Sequence, residues 1–311
     1  MRSSMASRVV RDFIEIPCGK CIGCRLDYSR QWAYRCMLEL EYHDEAHFVT
    51  LTYNDDHIPV SAYGDPSTGE AIDAYTLDKR DFQLFMKRLR KAFPDDDIRF
   101  YACGEYGSST FRPHYHAIIY GLHLDDLQQC GCSPAGFPYY TSPKLQCVWS
   151  IYHPAKKDKE AWYDPIGFVS VGDVTVESCA YVARYIMKKQ KGDDAVFYDL
   201  HNVIPEFTLM SRRPGIGRQW YEDHPDLYDF EYINLKTDNG GLKFRPPRYY
   251  DKLFDVDDPD RMKQIKETRK RAAELITSAK LRKTNLSYTE LLGVEERKKQ
   301  ESLKKLVRCI E

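Results

Sequence analysis

Short apolar segments separated by polar loops predict the strands of a sheet. Residues 48–53 mix Thr with aromatic and aliphatic side chains, and residues 98–107 and 115–120 are two further apolar runs joined by a polar loop. Because that loop is short, the two runs are predicted to pair as an antiparallel hairpin. Residues 168–174 and 206–210 show the same character and are predicted as further core strands.

Apolar positions spaced three and four apart predict helices between and after these strands. Residues 25–42 carry a broad apolar stripe, and a second stripe is predicted to begin at Thr76, which would cap it, and to end before Pro94. A third helix is predicted from Thr175 or Val176 to about residue 190. Residues 258–311, rich in Lys, Glu, Arg and Leu, are predicted to form two or more amphipathic helices.

Residues 122–165 show the weakest pattern and are interpreted as an insertion beside the sheet. A short strand is predicted at residues 146–149. Aromatic side chains in this region are able to stack on unpaired bases, although a loop packed on the sheet is the favoured interpretation. The aromatic residues concerned are Tyr139, Tyr140, Trp149 and Tyr152.

These elements together predict an α+β protein. We expect a central antiparallel sheet with helices on one or both faces, followed by a helical C-terminal region. Composition shifts near residue 220, and turn signals follow at residues 239–241 and 245–248. The predicted division is therefore residues 1–220 for the main domain and residues 221–311 for a linker and charged helices.

Composition supports a folded protein in a reducing compartment. The chain has 311 residues, of which 42% are hydrophobic and 13% aromatic, enough for a packed core. No run approaches the roughly 18 apolar residues of a membrane span, and the N-terminus lacks the apolar core of a signal peptide, so no membrane partner is expected. In a cytoplasmic protein the ten cysteines are expected to be thiols or metal ligands rather than disulfides.

Charge is distributed unevenly although the net charge is only −1. Basic residues crowd the N-terminus, the predicted helix after Thr76 and residues 184–191, while acidic clusters lie elsewhere. This polarity suits a phosphate backbone, but any single basic cluster is equally well explained as an ordinary solvated helix face.

Cys18, Cys21 and Cys24 form a Cys-x-x-Cys-x-x-Cys motif. Three thiols at this spacing supply part of a structural zinc site, which usually has four ligands. A fourth cysteine would have to come from elsewhere, and an iron–sulfur cluster has the same requirement. The other interpretation is a set of buried small side chains at the junction of a loop and a helix.

The strongest candidate for chemistry is the segment from Arg112 to Gly121. Alternation on the predicted strand places His114 and His116 on one face, where two imidazoles make a metal-binding pair. Glu105 lies near the end of the preceding strand, across the hairpin, so its carboxylate can complete a mixed nitrogen and oxygen site. Because nine histidines make a His-x-His pair unremarkable by chance, the neighbourhood carries the argument.

At this point the chain resembles the HUH replication endonucleases, and more closely the replication initiation proteins of gokushovirus-type single-stranded DNA phages. His-Tyr-His stands for the His-hydrophobe-His signature, with Tyr115 in place of an aliphatic residue but facing away from the metal. The matching stretches appear in the family's order over roughly residues 15–220. They are residues 17–25, 48–53, 103–107, 112–121, 181–189 and 211–217.

The resemblance implies rolling-circle DNA replication in the cytoplasm of a bacterial host. It implies a divalent cation, Mg or Mn, held by Glu105, His114 and His116, and a Tyr-x-x-x-Tyr pair, Tyr181 and Tyr185, whose oxygen forms a 5′-phosphotyrosine at a single-stranded DNA origin. Host polymerase and helicase are then the expected partners, since no GxxxxGK[ST] motif occurs in the chain.

Basic residues near these motifs are predicted to assist. Lys188 is placed to stabilise the phenolate or the phosphate charge, and the glycine-rich basic turn after residue 211 permits close approach to phosphate. The predicted DNA-binding residues are Arg112, Arg184, Lys189, Arg212 and Arg213.

Two other functions compete with this interpretation. One is a non-catalytic nucleic-acid-binding module that uses the same sheet, aromatic residues and basic helices. The other is a metal-dependent hydrolase in which water is the nucleophile. Only the tyrosine mechanism leaves DNA covalently attached to the protein.

Overall fold

The computed structural model describes residues 17–65, 67–132, 136–157, 159–184, 189–190, 192–237 and 240–304. The strands are β1 Ala46–Thr52, β2 Val60–Gly64, β3 Ala71–Tyr75, β4 Arg99–Tyr106, β5 Pro113–Tyr120, β6 Gln128–Cys132, β7 Pro138–Thr141, β8 Ser150–His153, β9 Trp162–Pro165, β10 Val169–Asp173, β11 Phe207–Met210, β12 Ile233–Thr237 and β13 Gly240–Phe244. The helices are α1 Ile22–Leu40, α2 Lys79–Ala92, α3 Pro143–Val148, α4 Val176–Arg184, α5 Val196–Leu200, α6 Arg218–Asp223, α7 Arg248–Asp257, α8 Pro259–Leu281 and α9 Tyr288–Lys304.

A seven-stranded antiparallel sheet forms the centre of the molecule, in the order β11-β4-β5-β1-β10-β7-β6. The predicted hairpin is β4–β5, and β1 pairs with the other side of β5. Every strand predicted for the core lies in this sheet, and helices flank it. The α+β fold class is therefore confirmed.

One face of the sheet is covered by α2. Phe82, Phe85 and Leu89 of this amphipathic helix pack on the inward-facing residues of β1 and β5, among them Leu51 and Tyr115. Burial of such aromatic and aliphatic side chains contributes roughly 1.5–3 kcal/mol each to stability. Tyr115 therefore faces away from the two histidines, as the alternation of the strand predicts.

The start of α2 differs from the prediction by three residues. Asp78, not Thr76, caps the helix, because its carboxylate accepts from the Arg80 amide at 2.7 Å. The Thr76 hydroxyl instead accepts from the Ile204 amide at 3.0 Å. A contact between residues so distant in sequence cannot be predicted from local capping signals.

The opposite face is covered by α1 and α4. Trp32 of α1 stacks on Tyr101 of β4 with ring centroids 4.9 Å apart, and the Tyr120 hydroxyl donates to the Cys36 carbonyl at 3.2 Å. Tyr181 of α4 joins the same buried cluster. Helices therefore lie on both faces of the sheet.

The insertion contains a helix where a strand was predicted. Residues 146–149 belong mostly to α3, which the Ser142 hydroxyl caps by accepting from the Leu145 amide at 3.1 Å, with Pro143 in the first turn. Trp149 is fully buried and donates from Nε1 to the Thr52 carbonyl at 2.8 Å. The proposed contact of Trp149 with DNA is thus wrong, because the ring belongs to the core.

The C-terminal helices are present as predicted, as α8 and α9. A third cluster joins the region after residue 220 to α1, where Leu38 is buried and Tyr34 stacks on Phe244 at 4.0 Å. The division at residue 220 stays a prediction. In the part of the chain that the structure describes, no helix is long and apolar enough to cross a membrane.

Candidate metal centre

The β4–β5 register brings Glu105 and the two histidines together. Glu105 lies directly opposite His114, and His116 follows two residues later on the same face. Oε1 of Glu105 is 2.6 Å from Nε2 of His114 and 3.3 Å from Nε2 of His116. One ligand atom from each of the three residues therefore lies within 4.8 Å of the other two.

The second nitrogen of each imidazole is held by a neighbour. Nδ1 of His114 lies 3.1 Å from the Arg112 carbonyl oxygen, and Nδ1 of His116 lies 2.9 Å from the Thr50 hydroxyl. A carbonyl oxygen can only accept, so Nδ1 of His114 carries a proton, and in the neutral ring Nε2 then presents a lone pair to Glu105. This is the outer contact that usually orients a metal-binding histidine.

Glu105 is a permanently charged ligand in this setting. Burial alone would raise its pKa, but the hydrogen bonds and charges of His114 and His116 outweigh burial and lower the pKa to about 2. Glu105 is only 1% exposed, whereas the His114 side chain is 18% exposed. The group therefore opens to solvent on the His114 side, where a substrate oxygen can approach.

The donor set fits a divalent cation. Two imidazole lone pairs and an ionised carboxylate converge on one point, and a carboxylate facing neutral nitrogen lone pairs is stabilised by a cation between them. Two nitrogen ligands and one oxygen ligand leave positions for water or phosphate, as catalytic sites do. The chemistry of the donors does not distinguish Mg from Mn, although imidazole suits Mn better.

Tyr181 lies against this group on the α4 side. Its ring centroid is 5.6 Å from that of His116 and 6.0 Å from that of Phe48, and the residue is buried. The structure thus brings one of the two predicted tyrosines beside the predicted metal ligands. Tyr185 and Lys188 lie outside the described residues.

The predicted DNA-binding residues fall in two places. Arg112 lies at the mouth of the site, where it donates to the Asp55 carboxylate at 2.7 Å and to the Tyr53 carbonyl at 3.0 Å. Arg184 ends α4, three residues after Tyr181, and Lys189 follows it across residues 185–188. These three basic residues border the segment that holds the tyrosines.

Arg212 and Arg213 lie at the other end of the sheet. The preceding residue, Ser211, donates its amide to the Phe100 carbonyl at 3.0 Å, and Arg99 donates to the Pro214 carbonyl at 3.0 Å. Glu105 is six residues along β4 from Arg99, which corresponds to roughly 20 Å of extended strand. A strand of DNA would have to cross the sheet to reach both.

The role of Thr50 was missed by the sequence analysis. Thr50 lies on β1 opposite His116, and Thr52 lies opposite His114. The available signal was the alternation of Thr with apolar residues in 48–53, which places both hydroxyls on one face of a buried strand. Pairing of β1 with β5 is what brings that face to the histidines, and no local pattern predicts it.

The comparisons with known proteins agree on a family. The family model for the replication-associated protein ORF2 matches residues 46–190, which include β1, the histidine hairpin and α4. The replication-associated protein ORF2 of Spiroplasma virus 4 is 33% identical over 301 residues, which cover 94% of this chain and 85% of that protein. The chain therefore belongs to this family of replication-associated proteins, and the expected family is confirmed.

Two further relatives carry similar names. The replication-associated protein VP4 of Bdellovibrio phage phiMH2K is 29% identical over 79% of this chain and 69% of its own length. The replication-associated protein ORF4 of Chlamydia phage 1 is 30% identical over 77% of this chain and 53% of its own length. No solved structure matches the chain.

Proposed function

We propose that the protein nicks and rejoins single-stranded DNA at the replication origin of a small phage, and that it acts in the cytoplasm of the bacterial host. The observation that carries this proposal is the meeting of Glu105, His114 and His116 on one strand pair with the Tyr181 ring 5.6 Å from that of His116. Family membership supports a role in replication. The metal group supports phosphate chemistry rather than passive binding.

The metal ligands provide a fixed, charged cradle for the scissile phosphate. When bound, a divalent cation polarises a phosphate oxygen and offsets the charge that develops during transfer. Glu105 contributes a buried carboxylate, and Thr50 and the Arg112 carbonyl orient the imidazoles through Nδ1. Because these groups lie on paired strands, the cradle needs little reorganisation.

Tyr181 or Tyr185 is the proposed nucleophile. The phenol oxygen forms a bond to phosphorus as the bond to the 3′ oxygen breaks, and the phenol proton is balanced by the proton taken up by that oxygen. One phosphodiester replaces another, so the reverse reaction rejoins the strand without a nucleotide cofactor. Two tyrosines allow one to hold the displaced strand while the other attacks the regenerated origin, and Lys188 is proposed to stabilise the charge.

The β8–β9 hairpin is the proposed platform for the DNA strand. It carries Tyr152 and Tyr163, which face each other across the strands with centroids 5.2 Å apart and are each about half exposed. Exposed aromatic rings on a projecting element suit stacking with unpaired bases. The loop that joins the two strands adds exposed lysines, among them Lys156 and Lys159, which suit the phosphate backbone.

The hairpin leads directly to the metal centre. Phe168, three residues after β9 and 77% exposed, donates its amide to the Thr52 hydroxyl at 3.1 Å. Thr52 is the register partner of His114. A base stacked on this side therefore continues the same strand into the site, past Arg112.

The remaining partners follow from the product. Nicking leaves a free 3′-hydroxyl, which a host polymerase can extend, and strand separation then requires a host helicase. The sequence contains no phosphate-binding GxxxxGK[ST] loop for ATP-driven unwinding by this chain.

The test uses labelled single-stranded oligonucleotides that cover the phage genome, with Mg or Mn present. His116→Ala and His114→Ala are expected to abolish nicking while the proteins retain wild-type far-UV circular dichroism. Glu105→Gln is expected to weaken metal binding, with partial rescue by excess Mn. His123→Ala is the matched control, because His123 is an exposed partner of Asp96 outside the site. Full activity of His116→Ala in chelator-treated buffer would refute the metal role.

A further inference from the structure

The three N-terminal cysteines adopt the local geometry of a metal-binding loop. Their sulfur atoms lie within 4.8 Å of one another, and Sγ of Cys18 and Cys24 are 3.9 Å apart, so no disulfide joins them. Backbone amides point at the sulfurs, from Lys20 and Cys21 to Sγ of Cys18 at 3.4 and 3.2 Å, and from Cys24 to Sγ of Cys21 at 3.5 Å. Amide donors directed at sulfur stabilise the thiolates that bind metal.

Burial does not explain this cluster. Cys18 is exposed and the other two are only partly buried, whereas Cys36, Cys103 and Cys179 are the thiols that fill the core. The interpretation of these residues as small buried side chains therefore fails. A cytoplasmic protein that keeps three exposed thiols together would otherwise carry an oxidation-prone surface.

We propose that Cys18, Cys21 and Cys24 hold a structural zinc ion, and that this ion fixes the end of the tyrosine helix through Arg25. The zinc assignment is independent of the nicking activity, whereas the link to the tyrosine helix rests on the proposed function. Zinc is the ion that such thiolate sets usually select, in tetrahedral geometry.

The fourth position of a tetrahedral ion is left to a group outside this loop. Among the described residues no further Cys, His, Asp or Glu atom joins the three sulfurs. The tenth cysteine, Cys309, lies beyond α9 and outside the described residues. The carboxylate of Glu296 on α9 accepts from the Ile22 amide at 3.4 Å, so this C-terminal helix already lies at the cysteine loop.

Arg25 links the loop to the tyrosine helix. It follows Cys24 directly, its amide donates to the Cys21 carbonyl at 3.1 Å, and its Nη2 donates to the Lys189 carbonyl at 3.0 Å. Lys189 is four residues after Tyr185. Because α1 also packs along α4 in the buried cluster that holds Tyr181, a fixed first turn of α1 fixes both ends of the tyrosine segment.

Metal analysis of the full chain, purified under reducing conditions without chelator, tests the zinc site. We expect about one tightly bound zinc per chain in the wild type and in His116→Ala, and its loss in Cys21→Ser. Cys147→Ser is the control, because Cys147 is also exposed but lies on α3. No zinc in the wild type, or undiminished zinc in Cys21→Ser, would overturn the assignment.

Hydrogen exchange at residues 176–190 tests the link to the tyrosine helix. Arg25→Ala is expected to keep its zinc but to exchange about tenfold faster there, because it loses a charged donor to the Lys189 carbonyl. Arg30→Ala on the exposed side of α1 is the control. If Cys21→Ser does not fold, zinc can be removed from the wild type with chelator and restored. Unchanged exchange in both Arg25→Ala and zinc-stripped protein would overturn the link, whatever the nicking assay shows.

Discussion

The hydroxyl oxygen of Thr50 lies 2.9 Å from Nδ1 of His116, across the pairing of β1 with β5. The contact fixes the plane of an imidazole whose other nitrogen faces Glu105. Metal-binding histidines usually depend on such a partner for their orientation. The first strand of the sheet therefore belongs to the metal centre although it supplies no ligand.

Replacement of Thr50 by Val is expected to weaken divalent metal binding. Val has nearly the same shape but offers no partner to Nδ1, and loss of such a contact typically lowers metal affinity or activity by about 10- to 100-fold. Titration of Mn into the metal-free protein, followed by calorimetry, measures the change. Thr50→Ser keeps the hydroxyl and should bind nearly as well as the wild type. Equal affinity in Thr50→Val would show that the contact is incidental.

Glu105 should make stability depend on pH in the acid range. Its pKa in the folded protein, about 2, is below the usual 4.5, so the stabilisation is fully present above pH 4.5 and is lost as the pH falls towards 2. Urea unfolding in the presence of chelator, between pH 6 and pH 3, should show a steeper loss of stability in the wild type than in Glu105→Gln. Parallel curves for the two proteins would contradict the assignment of a charged, hydrogen-bonded carboxylate.

The β8–β9 hairpin should contribute to binding of single-stranded DNA. Base stacking on an aromatic side chain is worth about 1–3 kcal/mol, so Tyr152→Ala/Tyr163→Ala is expected to raise the Kd at least 5-fold. Fluorescence anisotropy with an unstructured oligonucleotide, in chelator so that no cleavage occurs, measures this change. Phe230→Ala removes another exposed aromatic ring, near the C-terminal cluster, and should leave the Kd unchanged. Equal affinities for all three proteins would exclude the hairpin as the platform.

Local sequence patterns predicted the sheet and the metal ligands because both depend on short-range geometry. The alternation in residues 98–107 and 115–120 specified a hairpin, and a hairpin places Glu105 opposite the histidines once its register is set. Family resemblance added Tyr181, which geometry alone would have treated as an ordinary core residue.

The errors and omissions have long-range causes. Residues 146–149 look like a strand because four residues are too few to separate periods of 2 and 3.6, yet Ser142 and Pro143 begin a helix there. The contacts of Thr76 with Ile204 and of Arg25 with Lys189 join residues more than a hundred positions apart. Such contacts depend on tertiary packing, which no window of sequence contains.

The covalent product tests the central claim most directly. The protein is incubated with single-stranded origin DNA and a divalent cation, and the trapped adduct is digested and mapped by mass spectrometry. We expect the nucleotide on Tyr181 or Tyr185, with either single Tyr→Phe variant still forming an adduct and Tyr181→Phe/Tyr185→Phe forming none. Tyr232→Phe, in the C-terminal region, should form it normally. Cleaved DNA without an adduct, or an adduct on any other residue, would contradict the tyrosine mechanism.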